Sequence, residues 1–281
     1  MTAVRPRDPR LGSDEPDARL RARMRRFYRD PAVYAAQVAA HDEAYFRKYV
    51  GVLARFLPGG VDSILELGAG SGAALEGYVR QRRPRRLVGL ELSNRNLSAI
   101  QARGAPFTAV GGDALELPFA DGSFDLVTCF QVIEHLPSIP RALDEAIRVL
   151  RRPGYLAVGM PNHASILTPV QDLFSGRTRL AFGVTGRAGA AGWLLRNARL
   201  ALAKRLRRGP SYRYCEPRLD GDVRGGDSDA VYYACPLDVL RDLSGRGAEL
   251  VGTDAIVRWG ALGRLVPTEL RGSMVAIWRV N

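Results

Sequence analysis

The chain has 281 residues, 46% of them hydrophobic and 25% charged, and a formal net charge of +12; that length and apolar share bury one substantial core with at most a small attached subdomain. Cys129, Cys215 and Cys235 are scattered, with no Cys-x-x-Cys pair, which excludes a disulfide framework and a thiolate metal site and fits a reducing cytoplasm. The longest uncharged run, 154–171, is broken by Pro161, Asn162, His163 and Pro169 and cannot cross a membrane, and no apolar leader stands near Met1, so a cytoplasmic location is expected.

Residues 1–17 are rich in Pro, Arg and Asp, and are expected to be a disordered tail. Over 18–60 apolar residues recur at helical spacing, with a break at Pro31 and a stop at Pro58-Gly59-Gly60, which predicts one or two helices. Tyr34, His41 and Tyr45 in this segment are expected to pack against the sheet. From 61 to 162 the pattern alternates: strand 62–67, helix 71–82, strand 86–91, helix 93–103, strand 106–110, strand 124–130, helix 138–150 and strand 154–160. Such a rhythm demands a parallel sheet with right-handed crossovers and helices on both faces. Ligands of these sheets bind beyond the carboxyl ends of the strands.

Chemistry-bearing residues gather at those ends. Ile64, Leu65 and Leu67 read as a buried strand that stops at Gly68, Gly70 and Gly72. Glycine there tolerates positive φ and lets a ligand lie against the main chain, while the next helix turns its free N–H groups to the same place. Glu66 sits in the strand end, where an unpartnered acid is costly. Glu91 ends the second strand, about twenty residues after the loop, the spacing at which an acid reaches ribose hydroxyls in nucleotide-binding α/β units. Asp113, in Gly112-Asp113-Ala114, comes after the third.

Glu-Leu-Gly-Ala-Gly-Ser-Gly at 66–72, Gly-Leu-Glu-Leu-Ser at 89–93, Gly-Asp-Ala-Leu-Glu-Leu-Pro-Phe at 112–119 and Ser-Phe-Asp-Leu-Val-Thr-Cys at 123–129 resemble, in order and spacing, the successive motifs of class I S-adenosylmethionine-dependent methyltransferases, nearest to the branch that methylates quinones and other small molecules. The resemblance covers about 62–162, and it also implies that the helices of 18–60 can lid the cofactor and bring Tyr34, His41 or Tyr45 near the substrate, the alternative to their packing against the sheet. It implies a doubly wound, mostly parallel seven-stranded sheet of the Rossmann-like methyltransferase type, with S-adenosylmethionine as cofactor. By that resemblance the backbone of Gly68, Ala69, Gly70 and Gly72 approaches the methionine and ribose, and Glu66 helps hold the cationic amino end. Glu91 accepts both ribose hydroxyls, Asp113 accepts from the adenine amino group beside the backbone of Ala114, and Leu92 and Leu115 sandwich the ring. The rival is an NAD(P)-binding oxidoreductase, because Gly68-x-Gly70-x-x-Ala73 meets the looser dinucleotide fingerprint. That site has no need of an acid at 66 or of the Gly-Asp-Ala stretch.

Methyl transfer asks mainly for alignment of nucleophile and methyl carbon. Where the acceptor is a hydroxyl a general base helps, and His135 and His163, after the fourth and fifth strands, are the candidates. No cluster has metal-ligand spacing. Residues 163–233 are too long for a connection and form a basic insertion: 177–218 hold eleven arginines and lysines against the single acid Glu216. A helix over 193–208 can be drawn with Leu194, Leu195, Ala198, Ala201, Leu202 and Leu206 on its apolar side. Its basic side fits an anionic membrane surface, a solvated lid over a substrate pocket, or RNA in an RNA methyltransferase. Residues 221–229 are expected to be a mobile loop. Residues 234–281 complete the sheet: helix 236–243, strand 248–257, loop 259–272 and a last strand over 274–280. The expected substrate is a small or lipid-like molecule methylated at oxygen.

Overall fold

The computed structural model of the chain describes residues 18–29, 43–104, 106–175, 186–217, 219, 229–259, 265 and 267–281. The N-terminal tail, Tyr34, His41 and all of loop 221–229 but its last residue lie outside these, as does the side chain of Tyr45. Two helices, α1 (Ala18–Arg29) and α2 (Glu43–Phe56), precede the first strand. Then come β1 (Ser63–Leu67), α3 (Ala73–Arg82), β2 (Arg86–Glu91), α4 (Asn94–Ala102), β3 (Thr108–Gly111), β4 (Phe124–Phe130), a 3-10 turn (Ile133–His135), α5 (Ile139–Arg148) and β5 (Leu150–Pro161). The chain continues with α6 (Leu167–Ser175), α7 (Gly186–Arg205), α8 (Pro236–Gly245), β6 (Glu249–Thr253), α9 (Asp254–Trp259) and β7 (Ser273–Val280).

The strands form one seven-stranded sheet in the order β3-β2-β1-β4-β5-β7-β6. β1 to β5 are parallel, and β7 runs antiparallel between β5 and β6. β1 is the central strand, its five residues all buried, with Leu65 level with Val88 on one side and Val127 on the other. Side chains alternate across a strand. Leu65, Leu67, Val127 and Leu156 therefore pack with Leu143 of α5 and Val239 of α8. Ile64, Leu126 and Ala157 pack on the opposite face with Tyr49 and Leu53 of α2 and Tyr78 of α3.

Two predicted elements differ. The strand expected over 248–257 stops at Thr253 and the chain turns at once into α9. There the Asp254 carboxylate accepts the Val275 N–H, a donor of β7 that a longer β6 would have taken. Helix α7 begins ahead of 193, and its inward face is not the leucine side. Ala190, Trp193, Asn197, Leu200 and Lys204 are buried, whereas Leu195, Leu202 and Leu206 are 62%, 61% and 79% exposed. Polar partners make this possible: the Asn197 amide donates to the carbonyls of His163 and Ser165, and Lys204 pairs with buried Asp238 of α8. Among the described residues no helix is long and apolar enough to cross a membrane.

Candidate active site

The glycine loop is built from three left-handed residues, Gly68 (φ 65), Gly70 (φ 55) and Gly72 (φ 85), a conformation that side-chain-bearing residues rarely adopt. A Cβ on Gly68 would overlap the Val132 side chain, so the bare main chain there admits Val132 from the turn after β4. Gln131 makes that turn with φ 58, the region costly for a residue with a side chain.

Glu91, at the tip of β2, is held by the loop it faces. Its Oε2 accepts the Gly70 N–H at 2.7 Å and its Oε1 the Ser93 N–H at 2.8 Å. Burial raises its pKa and these backbone donors partly offset that. Asp113 comes just after β3. Its Oδ1 accepts the Leu115 N–H at 2.9 Å, and its Oδ2 takes the Nε–H groups of Arg21 and Arg25 at 2.9 and 2.8 Å. Burial pushes its pKa up, but the Leu115 N–H and the Arg21 guanidinium outweigh that and the net shift is downward.

These groups border one cleft with about 650 Å³ of empty space including its open mouth. Gly68, Glu91, Leu92, Asp113, Ala114, Leu115 and His135 line it. So do Arg21, Met24 and Tyr28, which bring α1 across it, and Gln131 and Val132. The other residues singled out in the sequence stand elsewhere. Glu66 lies beneath the loop, 1% exposed, where its Oε2 accepts from the hydroxyls of Tyr78, at 2.6 Å, and Thr128; burial pushes its pKa up to about 7. Ala69, Gly70 and Gly72 shape the loop without lining the cleft. His163, 5% exposed, sits at the root of the insertion, with Nδ1 accepting the Ala234 N–H at 3.2 Å and the ring 5.6 Å from that of Tyr233.

His135 is different. Its Nδ1 is 3.4 Å from Oδ2 of Asp229, an oxygen that also accepts the Tyr28 hydroxyl at 2.7 Å. Its Nε2 is 3.9 Å from Oε1 of Glu134, and the rings of Tyr28 and His135 meet edge to face at 6.2 Å. Tyr28, Asp229, Arg21 and Arg25 were not legible as site residues. They belong to the N-terminal helix and to the far end of the insertion, and the signals in the sequence are that Arg21, Arg25 and Tyr28 fall on one helical face and that helices ahead of the first strand can act as a lid.

The donor set fits an adenosyl group better than a dinucleotide. The N–H groups of Gly70 and Gly72, which a pyrophosphate would need, are already given to Glu91 and to the Ala69 carbonyl, and a carboxylate stands where the phosphate charge would fall. Two carboxylates at neighbouring strand tips suit a ribose diol and an exocyclic amine, both donors. Among the described residues no group of three or more His, Cys, Asp or Glu could hold a metal ion.

Comparison with known proteins agrees. Residues 65–158, about a third of the chain, match a family described as a methyltransferase domain. It is 35% identical over 182 residues to an uncharacterized 37.1 kDa protein of transposon TN4556 from Streptomyces fradiae, covering 62% of this chain and 51% of that one. It is 34% identical over 135 residues to a probable S-adenosylmethionine-dependent methyltransferase of Mycolicibacterium smegmatis (47% and 51%), and 36% identical over 115 residues to the demethylmenaquinone methyltransferase of Thermobifida fusca (39% and 46%). The chain thus spans about half the length of the curated relatives it matches. A methyltransferase structure from Mesorhizobium loti shares the fold, with TM-score 0.53 at 16% identity over 82% of this chain and 96% of that one.

Proposed function

We propose that this chain transfers a methyl group from S-adenosylmethionine to a lipid-like or other small apolar acceptor, at oxygen. The observation that carries the reading is that Glu91, Asp113 and His135, from three separate segments, border a single cleft. The cofactor supplies an activated methyl on sulfur; the chain's own work is to hold, orient and exclude water. Glu91 offers its carboxylate oxygens to the ribose hydroxyls, and Asp113, whose Oδ2 is taken by Arg21 and Arg25, offers Oδ1 to the adenine amino group. Leu92 and Leu115 would flank the ring with the backbone of Ala114 alongside, and Glu66 joins β1 to α3 and β4 through the Tyr78 and Thr128 hydroxyls. His135, oriented through Asp229, takes the proton of an acceptor hydroxyl.

The acceptor class is supported by two relatives, named for demethylmenaquinone and for phthiotriol dimycocerosates, the second at 38% identity over 98 residues in Mycobacterium leprae. Such an acceptor is met at a membrane, with the protein peripheral to it. Calorimetric titration should give binding of S-adenosylmethionine and none of NAD, and Glu91→Ala should weaken the former at least about tenfold. Incubation with the cofactor labelled in its methyl group and a cell extract should send label to the lipid-soluble fraction. Binding of the dinucleotide alone, or label confined to RNA, would overturn the reading.

A further inference from the structure

The outward face of α7 carries a stripe that nothing in the catalytic reading uses. Ala191, Leu195, Ala198 and Leu202 repeat every three or four residues along the exposed side, and Leu206 continues the line past the helix end. Leu195, Leu202 and Leu206 are each more than 60% exposed, and no described residue covers them. Leucines at such exposure on one line are not the scattered apolar residues of an ordinary surface. The inward face meanwhile is anchored. The Trp193 indole donates to the Tyr233 hydroxyl at 2.9 Å, the Asn197 amide donates to the carbonyls of His163 and Ser165, and Lys204 pairs with Asp238. The helix therefore cannot roll its leucines inward without abandoning those contacts.

The charge beside the stripe is of one sign. Arg199 and Arg205 border it on either side, Arg207 and Arg208 lie just beyond it, all exposed, and the sequence has no acid between Asp172 and Glu216. An apolar line flanked by long guanidinium side chains matches a bilayer interface, where leucines enter the acyl boundary and arginines reach anionic headgroups. A protein partner of ordinary mixed surface would leave that uniform charge without a match.

We propose that α7 docks the protein on an anionic lipid bilayer through Leu195, Leu202 and Leu206, with the arginines supplying the headgroup contact. The helix is too polar to span and lies in the interface plane. Its buried side is seated at His163 and Ser165, just past the carboxyl end of β5, the end of the sheet where ligands bind. This deepens the reading of a lipid-like acceptor and rests on it only for the purpose of the contact, not for the contact itself.

The test uses the full chain and sedimentation with vesicles of phosphatidylcholine alone or mixed with phosphatidylglycerol. The protein should bind the mixed vesicles and release from them as salt rises, and bind phosphatidylcholine weakly. L195E/L202E should lower binding at least about tenfold while thermal melting and S-adenosylmethionine affinity stay as in the wild type. Arg199→Ser with Arg205→Ser should cut the preference for the anionic vesicles. Equal binding to both vesicle types, no binding to either, a dimer dispersed by L195E/L202E, or RNA binding lost on the arginine changes would each overturn the proposal. Failure of methyl transfer to lipid with vesicle binding intact would instead count against the acceptor reading alone.

Discussion

Glu66 is a carboxyl group placed where charge is hard to keep. It accepts from Tyr78 and Thr128 in a fully buried setting, and desolvation lifts its pKa to about 7 against those stabilising contacts. Because the folded value lies above the unfolded one, the associated stability is complete below the ordinary carboxylate range and is lost as pH rises to about 7. The loss amounts to about 3 kcal/mol. Glu66→Gln keeps an acceptor for the two hydroxyls and removes this titration, so its urea midpoint should decline less between pH 5 and 8 than that of the wild type; an equal decline in both proteins would rule this out. At Gly68 the left-handed φ of 65 and the Val132 side chain act together. Gly68→Ala should cost about 2–4 kcal/mol. Gly104→Ala, with φ 75 and open space around it, should cost only about 1 kcal/mol by the same urea assay. The sequence disclosed that these glycines matter but not why: Gly68 makes room for a neighbouring side chain, which no loop motif announces.

Helix α1 is latched to the site by charge. Arg21 and Arg25 share Asp113, and Arg21 also reaches Glu116, which is largely exposed. Asp113→Asn keeps the shape and removes the charge, and amide exchange over 18–29 should speed up at least about tenfold. Glu116→Ala should leave it nearly unchanged, since an exposed pair contributes little. With the Asp113 pKa lowered in the folded state, the latch should hold down through the usual carboxylate range and fail only as pH falls through that lowered value. The central strands β1, β2 and β4 were readable because burial on both faces writes a continuous apolar run. The carboxylates Glu91 and Asp113 were readable because strand ends fix where they project. The facing of helix α7 was left open by the sequence: its buried line includes Asn197 and Lys204 while Leu195, Leu202 and Leu206 stay exposed, a placement that hydropathy alone cannot register. The join of β6 to α9 was hidden for a related reason, since Asp254 replaces a ladder contact that pattern cannot register.

The insertion and the core are tied through buried polar groups rather than by apolar area alone. Lys204 of α7 meets Asp238 of α8, and Asp238 also accepts the Tyr232 hydroxyl at 2.9 Å and the Ser211 N–H at 3.0 Å. Lys204→Met leaves a buried carboxylate uncompensated and should cost about 3–5 kcal/mol. Adding Asp238→Leu should recover part of that loss, and urea unfolding tracked by tryptophan emission and by circular dichroism should give coincident transitions if insertion and sheet melt as one unit. Synthesis meets the same molecule in a different order. Because β7 lies between β5 and β6, the open side of β5 has no partner until residues 162–272 have been translated, roughly ten seconds at ordinary ribosomal speed. During that interval the nascent chain exposes an apolar strand edge of the kind that recruits other polypeptides, so productive folding in the cell should depend on a chaperone that shields Leu156, Ala157 and Val158 until β7 arrives.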